Sequence, residues 1–451
     1  MLSSIFDAFV KESPVSVMMR GLMEYVFRPQ RINAIFESYS KTQYTRELLF
    51  STLVNLLSLV VCGIHPSVSA AYKAKAESLN VTRGALYQKL NGVETAVSAA
   101  LVRETAREMG GLIEQLEGQR PPLLEGYQAR ILDGNALAAT EHRLKVLRSV
   151  AAAPLPGKSL VVLDPQLRLA VDLFPCEDGH AQERRLFGQV LERVEAGQLW
   201  IADRNMCTLD FLSGIDQRQA AFVIREHQNL PWQALSEPNW VAQVEAGEVL
   251  EQAIELRHLG SALTLRRIIL SLSKPTRHDD QEIVILTNLP VAVASAVVVS
   301  QLYRERWQVE GLFLTVTSNF EGEIKTLAYP KAALFSFALA LVTYNILATL
   351  RGALGSVHGV EKVTAALSDF YVVDEIQGTY RGMMIAIPAE HWQGFSTLSE
   401  AALAALLKQL ATEVNLKRFL KQPRKPKVPR TPPVKDPKHP HVSTARLLSP
   451  D

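Results

Sequence analysis

The chain has 451 residues, of which 47% are hydrophobic; this composition excludes wholesale disorder and leaves room for two or three domains. The formal net charge is +2, which by itself neither favours nor excludes a nucleic-acid partner. The three cysteines lie far apart, which argues against a disulfide framework or a zinc knuckle and favours the reducing cytoplasm as the expected location.

Residues 1–120 are predicted to be helical throughout, because apolar residues recur at helical spacing and no strand-like alternation interrupts them. Within this region, 79–94 resembles the second half of a helix-turn-helix. Thr82 would cap a short helix that displays Arg83 and Lys89. An ordinary capped surface helix fits the same pattern. We expect an N-terminal helical domain that binds DNA, with Arg83 and Lys89 as candidate contacts.

Two apolar runs, 48–64 and 332–350, resemble membrane spans in length and hydrophobicity. Polar residues interrupt both runs, and neither has a clear excess of positive charge on one flank. We therefore predict buried core helices for both, and no membrane partner.

Pro121 and Pro122 mark a boundary after which short apolar runs replace the helical pattern. Strands are predicted at 129–135, 159–164, 167–174 and 198–205, with a helix at 180–196 before the last of them. The order strand, strand, strand, helix, strand is the opening of a ribonuclease-H-like fold. In that fold the first and fourth strands lie side by side, and we assign a catalytic domain of this type to 121–350.

Apolar runs at 249–258 and 263–272 predict a β-rich insertion at about 225–275, after which 282–289 would rejoin the sheet as its fifth strand. A long helical segment is predicted from about 293 to 318, and a helical C-terminal region over 351–420. The fold class is therefore predicted as α/β (α+β): a ribonuclease-H-like core interrupted by a β insertion, behind an all-helical N-terminal domain.

The C-terminal residues 421–451 are rich in proline and lysine and predict an extended, disordered tail. Residues 413–451 carry ten Lys/Arg against three Asp/Glu. A basic end beside an acidic centre suits a protein that binds polyanions at its edges and metal ions in the middle, although a solvated tail on an ordinary enzyme has the same composition.

Two aspartates, Asp133 and Asp203, end the first and the fourth predicted strands. If those strands are neighbours, both carboxylates project from one edge of the sheet. Close carboxylates repel each other, and such pairs usually hold divalent ions such as Mg²⁺ or Mn²⁺. A single aspartate at a strand end is more often a turn cap, and we interpret Asp164 and Asp172 in that way.

The segment YRERWQVEGLFLTVTSNF supplies a third acid, because it contains Tyr303, Arg306 and Glu310 with the spacing Y-x2-R-x3-E. On a continuous helix these three side chains would lie within about 60° of one another. Glu305 would lie on the opposite side. A surface helix with an i, i+4 Arg–Glu pair is the alternative interpretation.

The motifs ILDGN (131–135), IADRN (201–205) and YRERWQVE (303–310) resemble the signature of bacterial insertion-sequence transposases with a DDE catalytic triad. The Y-R-E spacing resembles the insertion-sequence-4 family in particular. The resemblance covers roughly 130–350, with the motifs in the family's order. It implies that Asp133, Asp203 and Glu310 hold two Mg²⁺ or Mn²⁺ ions and catalyse phosphoryl transfer on DNA.

By analogy with the family, Tyr303 and Arg306 should bind the DNA backbone. The family usually has a lysine seven residues after the glutamate, where this chain has Thr317. A threonine there donates one hydrogen bond and brings no charge. Lys325 or a lysine of the tail is the candidate replacement.

Some family members form a hairpin at the cut end, which requires a flipped base stacked on an aromatic side chain. Trp232 and Trp240 in the insertion are candidates for that role, although tryptophans in a β region are more often core residues. Trp307 is interpreted as a packing residue beside the site.

The resemblance also implies the partners: double-stranded DNA, as terminal inverted repeats and as target, and a second copy of the chain in a homodimer that cuts two ends together. Two other functions stay open. One is another ribonuclease-H-fold nuclease, such as a junction resolvase. The other is a decayed transposase that only binds DNA.

Overall fold

The computed structural model describes residues 2–43, 47–276, 279–422 and 441–449. The helices before the first strand are α1 (Asp7–Glu12), α2 (Pro14–Val26), α3 (Pro29–Tyr39), α4 (Phe50–Val61), α5 (Val68–Lys75), α6 (Arg83–Asn91) and α7 (Thr95–Gln115). The central region contains β1 (Gln128–Ala136), β2 (Ala153–Leu155), β3 (Lys158–Asp164), β4 (Leu169–Cys176), α8 (Phe187–Leu191), β5 (Gln198–Ala202), α9 (Leu209–Gln217) and β6 (Ala221–Arg225).

The next strands are β7 (Gln233–Ala234), β8 (Asn239–Val244), β9 (Gly247–His258), β10 (Ser261–Leu272) and β11 (Glu282–Thr287). The remaining elements are α10 (Ala296–Arg304), α11 (Trp307–Ser318), α12 (Pro330–His358), α13 (Val360–Ala366), α14 (Asp369–Ala386), α15 (Ala389–Ser396), α16 (Glu400–Thr412), β12 (His441–Ser443) and α17 (Thr444–Leu448).

One mixed sheet forms the centre of the molecule, with the strand order β4-β3-β1-β5-β6-β11-β10-β9-β7, and β8 also pairs with β9. Strands β1, β5 and β6 are parallel, whereas β3 pairs antiparallel with β1 and β4 pairs antiparallel with β3. This order is that of a ribonuclease-H-like core, and the side-by-side placement of the Asp133 strand and the Asp203 strand is confirmed.

The prediction for the fifth strand is wrong, because β6 occupies that place and β11 lies beyond it in antiparallel orientation. The five-residue run Ala221–Arg225 directly follows α9 and is too short to show a period. The β insertion extends this same sheet through β10 and β9.

Two predicted helices also differ from the structure. The helix predicted at 180–196 is a single 3-10 turn, Glu183–Leu186, followed by the short α8; Gly188 lowers the helix propensity there. The segment 293–318 is broken between α10 and α11. The N–H groups of Glu305 and Arg306 bond to carbonyls three residues back, which tightens the backbone at that point.

Side chains of the central strands alternate between two cores. Ile131, Ile201 and Val223 face the helices α7, α10, α11 and α12, whereas Leu132, Ala202 and Ile224 face α8 and α9. Because Asp133 is two residues beyond Ile131 on β1, its side chain lies on the face that α10 and α11 cover.

Helix α12 is the central helix of the larger core, and α2, α4, α7 and α16 pack around it. It is long and apolar enough to cross a membrane by composition, yet its apolar window is completely buried by protein. The prediction of buried core helices for 332–350 and for the run that contains α4 is confirmed. The buried Asn345 of α12 pairs with both backbone groups of Ala170 and thereby satisfies the edge of β4.

The prediction of a disordered C-terminal tail is wrong for 441–449, while 423–440 lie outside the described residues. Strand β12 pairs in parallel with β2, and α17 follows it directly. Arg446 forms an ion pair with Asp178 at 2.8 Å. The sequence before 441 is rich in proline and lysine and therefore predicted no structure for this segment. Strand β12 is only three residues long, and its partner β2 lies almost 290 residues earlier.

Candidate active site

Asp133 and Asp203 are brought together by the register of two parallel strands. Leu132 pairs with Ala202, so the two aspartates are the next residues on neighbouring strands, which are about 4.8 Å apart. Asp133 Oδ1 accepts a hydrogen bond from the Gly134 N–H at 2.8 Å. Asp203 caps the 3-10 turn after β5 by accepting from the Asn205 N–H at 2.9 Å. Each carboxylate is therefore held by local backbone.

Glu310 is linked to this pair through Arg306. The guanidinium donates from Nη1 to Asp133 Oδ2 at 2.7 Å and from Nη2 to Glu310 Oε1 at 2.9 Å. Arg306 thus bridges the first and third acids, although the helix break places it at the start of α11 and Tyr303 on α10. Glu310 is the most accessible of the bridged groups, with 42% of its side chain exposed.

Asp133 is a poorly solvated carboxyl that lies near two other negative charges. The pKa of Asp133 is raised from 3.8 to about 6, chiefly by burial and also by the charges of Asp203 and Glu310, against the lowering effect of Arg306. The side chain is only 17% exposed. Arg306 alone therefore does not compensate the charge of the three carboxylates.

Tyr303 and Trp307 flank the Arg306 guanidinium. Tyr303 is buried, and burial raises the pKa of its hydroxyl, while Arg306 has the opposite influence. The prediction that Trp307 is a packing residue is wrong, since 60% of it is exposed. Its ring centroid lies 5.3 Å from the Arg306 guanidinium carbon. Its neighbours on the helix, Arg306 and Gln308, are partly buried, so the indole projects outward beside the acids.

A fourth carboxylate, Glu183, reaches the same edge from the opposite face of the sheet. Its side chain lies so close to Gly134 that a Cβ at residue 134 would collide with Glu183 Oε1. Burial raises the pKa of Glu183, Asp203 raises it further, and a hydrogen bond with Asn205 lowers it. The sequence predicts Glu183 within an amphipathic helix. Its approach to β1 has one signal in the sequence, the glycine at 134, which has no side chain to block it.

The asparagine of the ILDGN motif also has a defined partner. The amide of Asn135 donates to Glu323 Oε1 at 3.3 Å. Burial raises the pKa of Glu323, and this hydrogen bond lowers it. The contact joins the end of β1 to the segment between α11 and α12, and nothing in the local sequence around Glu323 predicts it.

Thr317, which stands at the position of the family's lysine, and Lys325, the candidate replacement, lie in different segments. Thr317 is exposed on α11, and its hydroxyl donates to the Phe313 carbonyl at 2.8 Å. Lys325 is exposed, with its backbone carbonyl bound by the Glu141 N–H at 2.9 Å. Neither residue contacts the bridged acids through a hydrogen bond or ion pair recorded among the described residues.

The helix-turn-helix candidates lie on α6, in the N-terminal helices. Thr82 caps α6 by accepting from the Ala85 N–H at 3.2 Å, so the predicted cap is confirmed. Arg83 is exposed and reaches Ser69 Oγ at 3.4 Å. Lys89 places its ammonium 4.2 Å from the centroid of the Phe36 ring, and burial lowers its pKa.

The two tryptophans of the insertion have different environments. Trp232 is partly buried, with its Nε1 donating to Glu226 at 2.6 Å and the Arg267 guanidinium 5.0 Å from its ring centroid. Trp240 is 62% exposed on β8, which is six strands from β1, or about 29 Å along the sheet. The structure therefore does not bring Trp240 to the acids.

The donor set fits a hard divalent cation in its chemistry, because the charges of Asp203 and Glu310 act on the buried Asp133 and one arginine opposes them. Among the described residues, however, no three acidic, histidine or cysteine groups are arranged so that they could hold an ion as they stand. The Arg306 guanidinium lies between Asp133 and Glu310 instead. Residues Asp164 and Asp172, interpreted as structural, pair with Arg130 and Arg103 respectively.

Comparison with known families finds a match for the central part of the chain. A family model described as a transposase DDE domain matches residues 158–346. The matched segment contains Asp203, Arg306 and Glu310 and covers less than half of the chain. Asp133 lies upstream of it. No curated protein matches the chain significantly.

Proposed function

This chain carries a transposase DDE domain, and on that premise we propose that it catalyses cut-and-paste transposition of an insertion sequence. It would cleave DNA at the ends of the element and transfer the strands to a target. The supporting observation is the placement of Asp133 and Asp203 on adjacent parallel strands, with Glu310 tied to Asp133 through Arg306. Membership of the insertion-sequence-4 family, implied by the Y-R-E spacing, is part of this proposal.

DDE transposases generally use divalent metal ions, and for this chain we propose two Mg²⁺ or Mn²⁺ ions per active site. Asp133, Asp203 and Glu310 would hold them. When bound, such ions activate a water or a DNA 3′-hydroxyl and stabilise the leaving oxygen. Asp133 and Asp203 are preorganised for this task by their backbone hydrogen bonds, whereas Glu310 is free to adjust on the more exposed side.

Arg306 and Tyr303 would bind the phosphate beside the cleaved bond. Arginine presents a planar pair of N–H donors that matches two phosphate oxygens. The Tyr303 hydroxyl faces the guanidinium from α10 and helps to orient it. If the two N–H donors that now bind Asp133 and Glu310 turned to a DNA phosphate, Arg306 would release those carboxylate oxygens, which would then be available as ligands.

A transposase binds DNA, and we propose the helical N-terminal region 1–120, including Arg83 and Lys89 of α6, as the part that recognises the terminal repeats. The catalytic domain would span 121–350, with the helical region 351–420 packed behind it. We further propose that the chain acts as a homodimer on paired DNA ends, in the bacterial cytoplasm and on the nucleoid.

The decisive experiment is a metal-dependent nicking assay on a linear duplex that carries the element's end. Asp133→Ala and Glu310→Ala should abolish cleavage yet retain end binding, because binding rests mostly on phosphate contacts. The exposed Glu192, on the opposite face of the sheet, provides a matched control as Glu192→Gln. Normal cleavage by Asp133→Ala, or loss in Glu305→Ala with normal cleavage in Glu310→Ala, would contradict the assignment.

One observation favours a second candidate, a protein that binds DNA without cutting it. The Thr317 hydroxyl is bonded to its own helix, so the position of the family's lysine supplies neither charge nor a directed donor. If wild-type protein binds element ends but neither nicks nor joins them with Mg²⁺ or Mn²⁺, and Thr317→Lys restores cleavage, this second candidate is correct.

A further inference from the structure

A cavity of about 270 Å³ lies behind the helix that carries Glu310. Its wall includes Arg120, Arg168, Gln308, Thr315, Tyr344 and Asp369. Gln308 lies about 160° around α11 from Glu310, so the cavity is on the side of the helix opposite to the three acids. The space is several times the volume of about 30 Å³ that one water occupies in the liquid.

Two arginines, Arg120 and Arg168, line this cavity together with two acids, Glu305 and Asp369. Arg120 Nη1 donates to the neutral Gln308 Oε1 at 2.7 Å. Burial lowers the pKa of Arg120, and the charge of Arg168 lowers it further, while Glu305 opposes both. The two guanidinium groups therefore repel each other across a partly desolvated space.

The acid nearest to Arg168 is already engaged. Arg168 Nη2 lies 4.0 Å from Asp369 Oδ2, whereas the other oxygen of Asp369 forms a closer ion pair with the buried Arg351. The two acids of the wall, Glu305 and Asp369, thus serve three arginines: Arg120 and Arg168 in the wall, and Arg351, which is not part of the wall but pairs with Asp369. The excess of one positive charge is open to a ligand from solvent.

The backbone of Arg168 is held in an unusual conformation. Its φ is +59°, in the left-handed region that non-glycine residues adopt at a cost. The turn before it is fixed by Asp164 Oδ1, which accepts from the N–H groups of Gln166 and Leu167 at 2.9 and 3.0 Å. Strained residues of this kind persist where the surrounding structure fixes them, and often at ligand sites.

We propose that this cavity is a second anion site, which binds a phosphate group between Arg120 and Arg168. Planar guanidinium donors match phosphate oxygens in pairs. The phosphate belongs either to a DNA backbone that passes behind α11 or to free inorganic phosphate. Because Arg120 also contacts Gln308 on α11, occupancy of the cavity would help to fix the helix that presents Glu310.

The test measures binding of inorganic phosphate to the full-length protein by calorimetry at constant ionic strength, with chloride as the reference anion. Wild type should bind phosphate saturably at one site per chain. Arg120→Gln and Arg168→Gln should each weaken binding at least tenfold. Arg107→Gln, which removes an exposed arginine of α7, is the matched control and should bind as wild type does.

A second arm distinguishes the sources of phosphate by fluorescence anisotropy of a DNA duplex at several salt concentrations. If DNA occupies the cavity, Arg120→Gln and Arg168→Gln weaken binding and lower the salt slope by about 1. If free phosphate is the ligand, DNA affinity is unchanged in both variants. Should Arg168→Gln fail to fold, Arg120→Lys, which keeps the charge but loses the planar fork, takes its place and should retain part of the phosphate affinity.

The inference is overturned if wild type shows no saturable phosphate binding above chloride and DNA affinity is insensitive to both arginine substitutions. It is also overturned if Arg107→Gln loses as much affinity as they do. The inference does not rest on the proposed function: Asp133→Ala should retain phosphate binding, so failure of cleavage and failure of this site are separate results.

Discussion

Replacement of Asp133 by asparagine tests the electrostatics of the site directly. The pKa of this buried carboxyl is raised from 3.8 to about 6, which corresponds to about 3 kcal/mol of disfavoured ionisation in the folded state. Asparagine has nearly the same shape and no charge. In the absence of metal at pH 8, Asp133→Asn should therefore be more stable than wild type by up to about 3 kcal/mol.

The difference should depend on pH in a defined direction. Above pH 6, Asp133 is ionised in both the folded and the unfolded chain, so the folded protein bears the whole cost. As the pH falls through 6 towards 3.8, the folded protein takes up the proton before the unfolded chain does. Wild type then regains stability relative to the variant, and the advantage of Asp133→Asn should disappear near pH 4.

The assay is thermal unfolding with EDTA between pH 8 and pH 4, followed by repetition with Mn²⁺. For a chain of 451 residues, about 3 kcal/mol corresponds to a shift of about 3 °C in Tm. Mn²⁺ should stabilise wild type and leave Asp133→Asn unchanged. The exposed Asp374, as Asp374→Asn, is the control. A variant that is less stable than wild type at pH 8 in EDTA would show that the attraction of Arg306 outweighs burial, and would refute the reasoning.

Three further substitutions examine other contacts of the site and core. Gly134→Ala should slow cleavage at least tenfold in the nicking assay but change the free energy of unfolding by less than about 1 kcal/mol, because only the flexible Glu183 side chain must move. Gly188→Ala is the control, since a Cβ at that residue meets open space. Normal cleavage by Gly134→Ala would remove Glu183 from the site. Trp307→Ala should weaken binding of a frayed DNA end by about 1–3 kcal/mol in anisotropy measurements, since its exposed ring can stack on a base. If only Trp240→Ala weakens this binding, the stacking residue lies in the β insertion instead. Asn345→Leu should lower stability by about 3 kcal/mol in urea titration, because both backbone groups of Ala170 lose their partner, and an unchanged midpoint would contradict that account.

The three candidate acids could be selected from the sequence because each carries a local signal. Asp133 follows an apolar strand, Asp203 follows another, and Glu310 has a spacing to Arg306 that only a helical turn brings together. The ribonuclease-H-like order of elements then places the first and fourth predicted strands, which end at Asp133 and Asp203, side by side. The structure confirms that the two strands are neighbours, since Leu132 of β1 pairs with Ala202 of β5.

The contacts that complete the site had no such signal. Glu183 lies close to Gly134 and begins a 3-10 turn where a helix was expected, and helical periodicity cannot reveal such a change. Strand β12 pairs with β2 across most of the chain, and both strands are three residues long. Short pairings between distant segments depend on the finished packing, so they become visible only in the folded molecule.

Arg306 gives the site two competing states. Each terminal nitrogen donates one N–H group to an acid, Nη1 to Asp133 and Nη2 to Glu310, so these two donors cannot bind a DNA phosphate at the same time. Binding of a phosphate by Arg306 would release carboxylate oxygens for metal, and binding of metal would release Arg306 for DNA. The two affinities must then rise by the same factor, because coupling between sites is reciprocal. Mn²⁺ affinity measured by calorimetry should increase when a DNA end is present, and in Arg306→Gln this dependence on DNA should vanish. Equal Mn²⁺ affinity in wild type with and without DNA would mean that the guanidinium and the ion do not compete for the same carboxylates.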